Sequence, residues 1–129
     1  MTRKYQLADL QLAIMQVLWE REEATVSAVR EALAPDRKLA HTTVGTMLAR
    51  MEEAGQVTSR PDGRANVYRA KLKREQVNRT MVSDLSERLF GGDVTQFMCQ
   101  LLDGETVGVD ELQRLKQLIR AKEKELRDD

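Results

Sequence analysis

The sequence predicts a mainly α-helical fold with one small β-hairpin, divided into an N-terminal domain at residues 1–72 and a C-terminal helical domain at residues 73–129. Two observations lead to this prediction. Apolar residues recur at helical spacing along most of the chain, and two short strand-like runs flank a Pro-Asp-Gly turn near its middle. With 129 residues, of which 41% are hydrophobic, the chain has the length of one domain plus a short accessory segment.

Two helices are predicted in the first third of the chain. The first covers about Asp9–Arg21, with Asp9 as its N-cap, because apolar residues return every three or four positions. The second covers about Val26–Leu33 and follows Thr25 as its N-cap. It ends before Pro35, since proline cannot continue a helix.

A third helix is predicted at about His41–Ala54, with Gly55 as its C-terminal stop. Its apolar stripe consists of Val44, Met47, Leu48 and Met51. The opposite face carries small, polar and basic residues that cluster in the first turns. We therefore expect this face to be exposed.

A β-hairpin follows, with predicted strands at Gln56–Arg60 and Asn66–Ala70. The predicted turn is Pro61–Gly63, because proline presets one dihedral angle and glycine accepts a positive φ. Three arginines lie on or near this hairpin, namely Arg60, Arg64 and Arg69.

The rest of the chain is predicted to be helical. A long helix that starts at about Lys73 carries an apolar row at four-residue spacing, consisting of Val77, Met81, Leu85 and Leu89. Asp93 is predicted to cap a short helix, and Asp110 with Gln113 resembles a capping box for the last one. Cys99 lies in the apolar row of the short helix, where we expect it to be buried.

Three helices followed by a two-stranded hairpin is the element order of a winged helix-turn-helix. In such a domain the third helix enters the DNA major groove, and side chains of its first turns contact the bases. Threonine hydroxyls can bond base edges or phosphates, threonine methyls can touch a thymine methyl, and arginines of the hairpin, or wing, add phosphate or minor-groove contacts. The candidate DNA-binding residues are His41, Thr42, Thr43, Thr46, Arg50, Arg60 and Arg64. The alternative is a solvated threonine-rich helix face beside a surface hairpin.

Charge is unevenly distributed, although 21 basic residues balance 21 acidic ones. Residues 37–71 hold seven basic and three acidic side chains, whereas residues 73–129 hold ten basic and twelve acidic ones. Zero net charge disfavours indiscriminate coating of nucleic acid. A basic middle and an acidic end instead favour two separate tasks.

The scarcity of cysteine and histidine excludes several classes of site. One Cys and one His leave no disulfide framework, no multi-Cys metal site and no His pair, so we expect no metal and no cofactor. We interpret His41 as a cap-region or phosphate-contacting residue. Catalytic patterns are absent from the sequence, so we expect no enzyme activity.

The sequence also favours a cytoplasmic protein that does not insert into a membrane. No run approaches the ~18 apolar residues of a membrane span. The start MTRKYQLADL lacks the apolar core of a signal peptide.

Four segments of the N-terminal domain are distinctive: LADLQLAIMQVLWE, TVSAVREAL, LAHTTVGTMLARMEEAGQVTSR and GRANVYRA. With SERLFGG and the leucine-rich last helix, they resemble the penicillinase-repressor family of BlaI/MecI/CopY type from about Leu7 to Leu126. The resemblance implies a homodimeric transcriptional repressor that binds a dyad-symmetric operator. By position, Thr42, Thr43 and Thr46 match the recognition-helix residues of the family, where a basic residue often replaces Thr42.

The resemblance also implies that the C-terminal helices pair with a second copy. The sequence agrees, because three short helices separated by glycines would bury little surface alone. The candidate dimerisation residues are Leu85, Leu89, Phe97, Leu101, Leu115, Leu118 and Ile119. The alternative is a monomeric subdomain packed on the winged helix.

Induction differs between branches of the family. In the penicillinase branch, a membrane receptor and protease system leads to cleavage at an Asn-Phe bond, so the resemblance makes such a system a candidate partner. The corresponding place here is Gln100-Leu101, where neither residue matches. The copper-responsive branch uses paired C-x-C motifs near the C-terminus, and this tail contains no cysteine.

Two other functions remain open at this point. A winged-helix regulator could respond to a small effector, for which the sequence offers no aromatic or polar cluster to line a pocket. A winged helix could also bind a protein partner rather than DNA. Replacement of Thr43 or Arg64 by alanine separates the last function from repression, because only a repressor would lose DNA binding.

Overall fold

A computed structural model describes residues 7–104 and 107–128 and contains six helices and three strands within them. In chain order these are α1 (Asp9–Arg21), β1 (Ala24–Thr25), α2 (Val26–Leu33), α3 (His41–Glu53), β2 (Val57–Asp62), β3 (Ala65–Ala70), α4 (Arg74–Phe90), α5 (Val94–Leu102) and α6 (Val109–Arg127). The predicted mainly α-helical class with a small hairpin is confirmed.

The chain forms two compact units, which meet in sequence between Asp84 and Leu85. The apolar row of α4 changes along its length: Val77 is fully buried and Met81 packs against the core of the first unit, whereas Leu85 and Leu89 are exposed. The first turns of α4 therefore contribute to the N-terminal core, although the sequence assigns them to the second domain. The division into functional domains stays a prediction.

The core of the first unit is formed by the apolar stripes of the first three helices and by one face of the sheet. Its most deeply buried side chains are Ile14, Met15, Leu18, Val29, Val44, Leu48, Met51, Val57 and Val77. The predicted inward faces of α1, α2 and α3 are thus confirmed. Gly55, with a φ of 77°, follows α3 as predicted, because this left-handed conformation suits a residue without Cβ.

The sheet has the antiparallel order β1-β3-β2, so β3 lies in the middle. The short strand β1 was not predicted, since Ala24 and Thr25 alone give no periodic signal. They pair with Tyr68 and Val67 of β3.

The hairpin turn lies one residue further along the chain than predicted. Asp62 pairs with Ala65, so the two-residue turn is Gly63-Arg64 and the predicted turn at Pro61–Gly63 is wrong. Gly63 has a φ of 65° at the first central position, which a turn of type II′ requires.

Pro61 is part of β2, and its place in the ladder explains why it is tolerated there. The pair that closes a two-residue turn is hydrogen-bonded, so the next pair, Pro61 with Asn66, is not. Since β2 is an edge strand, the backbone nitrogen of Pro61 faces outward and no ladder hydrogen bond is lost.

Two of the four predicted helix caps are confirmed. The Thr25 hydroxyl accepts a hydrogen bond from the Ala28 N–H at 3.1 Å, and the Asp93 carboxylate accepts one from the Gln96 N–H at 3.1 Å. The other two predictions are wrong. Ala8, rather than Asp9, precedes α1, and its N–H donates to the side chain of Gln11.

The last helix also begins two residues earlier than its predicted capping box allows. Gly108 is the N-cap of α6, so Asp110 is already the second helical residue. An acidic residue there still interacts favourably with the positive end of the helix dipole.

In the second unit, α5 and α6 contain no buried residue, although the structure describes both helices completely. Phe90 stacks on Phe97 with ring centroids 5.3 Å apart. Cys99 is exposed, so its predicted burial is wrong. The reason is that the apolar row of α5 is incompletely covered within one chain, as the lack of any buried residue in this helix shows.

Candidate nucleic-acid interface

The first two turns of α3 present a threonine face to solvent. Thr42, Thr43 and Thr46 are all exposed, whereas Val44 and Leu48 are fully buried. A helix advances by about 100° per residue, so the threonines share an arc opposite the buried stripe. The structure therefore brings these three predicted site residues together on one surface.

The turn before α3 is held by a side chain that sequence reasoning missed. The Arg30 Nε–H donates to the Leu39 carbonyl at 2.9 Å, which joins the last turn of α2 to the segment that leads into α3. This bond positions α3 relative to α2. A sequence pattern could not have revealed it, because the acceptor is a backbone atom nine residues away.

The two ends of α3 differ in charge. His41 is the exposed first residue of the helix, and Arg50 is exposed on its last turns. The adjacent Glu52 carboxylate accepts a hydrogen bond from the Ser59 hydroxyl at 2.7 Å, and Glu53 follows it. Phosphates are repelled by carboxylates, so the N-terminal half of α3 is the part suited to approach DNA.

The wing presents Arg64 at the tip of its turn. Arg64 is exposed, and no carboxylate pairs with it or with Arg50 within residues 7–104 and 107–128. Both guanidinium groups are thus available for phosphate oxygens, which arginine binds well because of its planar array of donors.

Arg60 has a partner already. Its guanidinium donates to the Glu23 carboxylate at 2.8 Å, with both side chains about half exposed. The pair joins β2 to the segment before β1. The structure thus places Arg60 on the wing as predicted. A DNA phosphate would have to compete with the Glu23 carboxylate for its guanidinium group.

A groove of about 890 Å³ lies at the end of α1 and β3, and none of the residues predicted to bind DNA is among those that line it. Its lining includes four basic residues: Arg69, Lys71, Lys73 and Arg74. The Trp19 Nε1–H donates to the Leu72 carbonyl at 2.9 Å, and the Arg74 guanidinium lies 5.3 Å from the Trp19 ring centroid. Sequence patterning did not predict that Trp19 lies beside these basic residues, because it is 53 residues away from Leu72 in the chain.

Two general features of the described residues concern metals and membranes. Within residues 7–104 and 107–128, no group of three or more His, Cys, Asp or Glu side chains lies close enough to hold a metal ion. The same part of the chain contains no helix that is long and apolar enough to cross a membrane.

Comparisons with known sequences agree on one family. The penicillinase repressor family model matches residues 7–121. The transcriptional regulator BlaI of Mycobacterium tuberculosis is 35% identical over 121 residues, which are 92% of this chain and 86% of that protein. The penicillinase repressor of Bacillus licheniformis is 21% identical over 114 residues, which are 88% of this chain and 89% of that protein.

Solved structures show the same fold. The solution structure of the DNA-binding domain of the repressor BlaI matches with a TM-score of 0.51 and 25% identity, over 59% of this chain and 93% of that one. The complex structure of hsRosR-SG matches with a TM-score of 0.53 and 19% identity, over 92% of this chain and 94% of that one. The predicted winged helix-turn-helix is confirmed.

The family consists of transcriptional repressors rather than enzymes, in agreement with the expectation from the sequence. Its model spans most of the chain, including the threonine face of α3, the wing and most of the C-terminal helices. The chain therefore belongs to the penicillinase repressor family of DNA-binding transcriptional regulators.

Proposed function

We propose that this repressor binds a dyad-symmetric operator as a homodimer, with α3 of each copy in the major groove of one half-site. The wing would then lie against the neighbouring sugar-phosphate backbone. The exposed threonine face on the N-terminal half of α3 carries this proposal, because it combines small polar side chains with a helix end that has no acidic residue.

Phosphate contacts follow from the basic residues around that face. Arg64 at the wing tip and Arg50 on α3 have no carboxylate partner within residues 7–104 and 107–128, and His41 lies at the start of the helix. Such contacts fix the register of a protein on DNA but carry no sequence information. Arg60 would join them only by leaving Glu23.

The homodimer is supported by the apolar surface of the second unit. Five of the seven candidate dimerisation residues are exposed, namely Leu85, Leu89, Leu101, Leu118 and Ile119, while Phe97 and Leu115 are half-buried. A patch of this kind is costly in water and marks an interaction surface.

The pattern on α6 favours a second copy as the partner. Leu112, Ile119 and Leu126 recur at seven-residue intervals, with Leu115 between the first two. This is the spacing of a two-helix seam, in which identical helices bury each other's apolar residues. A two-fold symmetric protein in turn favours a two-fold symmetric operator.

A membrane receptor and protease system as the source of the inducing signal stays a prediction. Gln100 and Leu101, at the position of the family's cleaved bond, are exposed in α5. Incubation of the purified chain with extracts of induced and uninduced cells, followed by mass spectrometry of the fragments, tests whether cleavage occurs there. Intact chain from both extracts would contradict this partner.

The proposal as a whole is tested by DNA binding of the purified full chain to its own promoter region, across salt concentrations and with excess nonspecific competitor DNA. We expect saturable, competitor-resistant binding and a footprint with two symmetric halves. Light scattering of the same sample should give the mass of a dimer. Loss of binding to competitor at every salt concentration would contradict sequence-specific repression and favour a protein-binding winged helix.

Two matched variants test whether the wing contacts DNA. Arg64→Gln should weaken binding and reduce the slope of log affinity against log salt by about one, because one phosphate contact is lost. Arg21→Gln makes the same change at an exposed position on the last turn of α1 and should leave the slope unchanged. Equal effects of both variants would contradict a specific role of the wing.

A further inference from the structure

The first turns of α3, up to Ala49, lack every side chain that reads bases by two parallel hydrogen bonds. From His41 to Ala49 the sequence is HTTVGTMLA, without Arg, Lys, Asn, Gln, Asp or Glu. Arg and Lys read guanine, Asn and Gln read adenine, and Asp and Glu accept from cytosine. None of these modes is available before Arg50, which lies one turn after Thr46 on the same arc.

What this face offers instead is methyl groups. Thr42, Thr43, Thr46 and Ala49 are exposed, and each carries a methyl group at or near the tip of its side chain. The one base-pair feature in the major groove that matches a methyl group is the C5-methyl of thymine.

The spacing of the threonines suits neighbouring base pairs. Thr42 and Thr46 lie one helical turn apart, about 6 Å along the axis, with Thr43 beside them on the arc. Bases on one strand are about 3.4 Å apart, so Thr42 and Thr46 together span roughly two steps. Glu52 and Glu53, at the other end of α3, would repel DNA phosphates. We therefore expect the first turns of the helix to approach the bases.

We propose that Thr42, Thr43 and Thr46 recognise thymine methyl groups in the operator half-site through their own γ-methyl groups. Thymine is then the base that the first two turns of this helix select. The inference rests on the proposed function, because it assigns the chemistry by which the same surface distinguishes one DNA sequence from another.

Deoxyuridine tests this directly, because it differs from thymidine only by the missing methyl group. The probe is the duplex protected in the promoter footprint, with each thymidine of one half-site replaced singly by deoxyuridine. We expect about fourfold weaker binding of the full wild-type chain at each contacted position, which is the effect of removing one buried methyl group. Replacements in the flanking DNA serve as controls and should have no effect.

Two variants of Thr46 separate the methyl group from the hydroxyl. Thr46→Ser removes the γ-methyl and should abolish the response to deoxyuridine at its own position. Thr46→Val keeps a methyl at that place, removes the hydroxyl and should keep the response. Thr58→Ser, at an exposed position of β2, is the matched control and should behave like the wild type.

The outcomes distinguish this inference from the proposed function. Specific binding that is indifferent to every deoxyuridine replacement would overturn methyl recognition and leave repression intact. Loss of specific binding in Thr46→Val with an unchanged deoxyuridine response in Thr46→Ser would also overturn it, in favour of hydrogen bonding. Absence of any specific duplex would instead contradict the proposed function itself.

Discussion

Arg60 and Arg64 lie within the same hairpin, yet they differ in what they can contribute to DNA binding. Arg64 is at the turn without a carboxylate partner among the described residues, whereas Arg60 donates to Glu23 at 2.8 Å. An exposed ion pair contributes about 0–1 kcal/mol, so a phosphate can displace Glu23 at modest cost. The negative charge of Glu23 thus partly offsets the positive charge of Arg60 on the wing.

We expect Glu23→Gln to bind operator DNA up to about fivefold more tightly at low salt, since Arg60 is then free for phosphate. Fluorescence anisotropy titrations across salt concentrations measure the change. Glu20→Gln is the matched control, because it removes an exposed carboxylate of α1 that does not pair with Arg60. If both variants gain equally, the effect is one of overall charge and the Arg60 pair is irrelevant.

Two glycines near α3 should respond in opposite ways to alanine. At Gly45 a Cβ atom would meet only the Val26 Cγ1 at 3.9 Å, an ordinary contact, so Gly45→Ala should raise the free energy of unfolding by about 0.5–1 kcal/mol. At Gly55, where φ is 77°, alanine should lower it by about 1–2 kcal/mol. Urea denaturation of both variants measures the difference, and stabilisation by Gly55→Ala would contradict the assigned backbone conformation.

The individual site residues were predictable to different degrees. The exposure of Thr42, Thr43 and Thr46 follows from helical periodicity, because the buried stripe defines the opposite face. The partner of Arg60 does not follow, since Glu23 is 37 residues away and only the sheet brings them together.

At the level of elements, the helix-turn-helix depends on how α2 begins. The Thr25 hydroxyl caps α2, and the same residue pairs with Val67 in the sheet. Thr25→Ala should therefore lower the free energy of unfolding by about 1 kcal/mol, because an N-terminal N–H loses its acceptor. Thermal or urea denaturation checks this, and Thr25→Ser, which keeps the hydroxyl, should restore most of the loss. An equal loss in the serine variant would show that the methyl group rather than the cap matters.

The helices were more predictable than the sheet, and the reason is physical. A helix of thirteen residues such as α1 or α3 repeats its apolar pattern several times along its length. By contrast, β1 has only two residues and is defined by its pairing with β3. The turn was misplaced because proline commonly begins a turn, while Pro61 here belongs to an edge strand.

For the whole molecule, the proposed dimer depends on the apolar seam of α6. Ile119→Lys places a charge in the middle of the seam, so we expect a monomer in sedimentation velocity. Circular dichroism should still show a helical protein, because the core of the first unit is untouched. Operator affinity should fall steeply, since the two half-sites are no longer bound by one molecule.

Gln117→Lys is the matched control for this change. It makes a comparable substitution two positions away, on the face of α6 opposite the seam, and should leave both mass and affinity unchanged. A dimer that persists in Ile119→Lys would show that α6 does not form the interface.

The apolar pattern of α6 was visible in the sequence, whereas the exposure of Cys99 was not. Periodicity identifies an apolar row but does not show whether another element covers it.

Pro61 has a consequence for how the wing meets a neighbouring molecule. An edge strand with free backbone donors invites a strand from a neighbouring molecule, and sheets can grow in this way into aggregates. In β2 the outward-facing position at Pro61 has no N–H to offer such a strand. At this position β2 therefore cannot extend the sheet into the wing of a neighbouring molecule, and the proposed dimer would pair through its C-terminal helices instead.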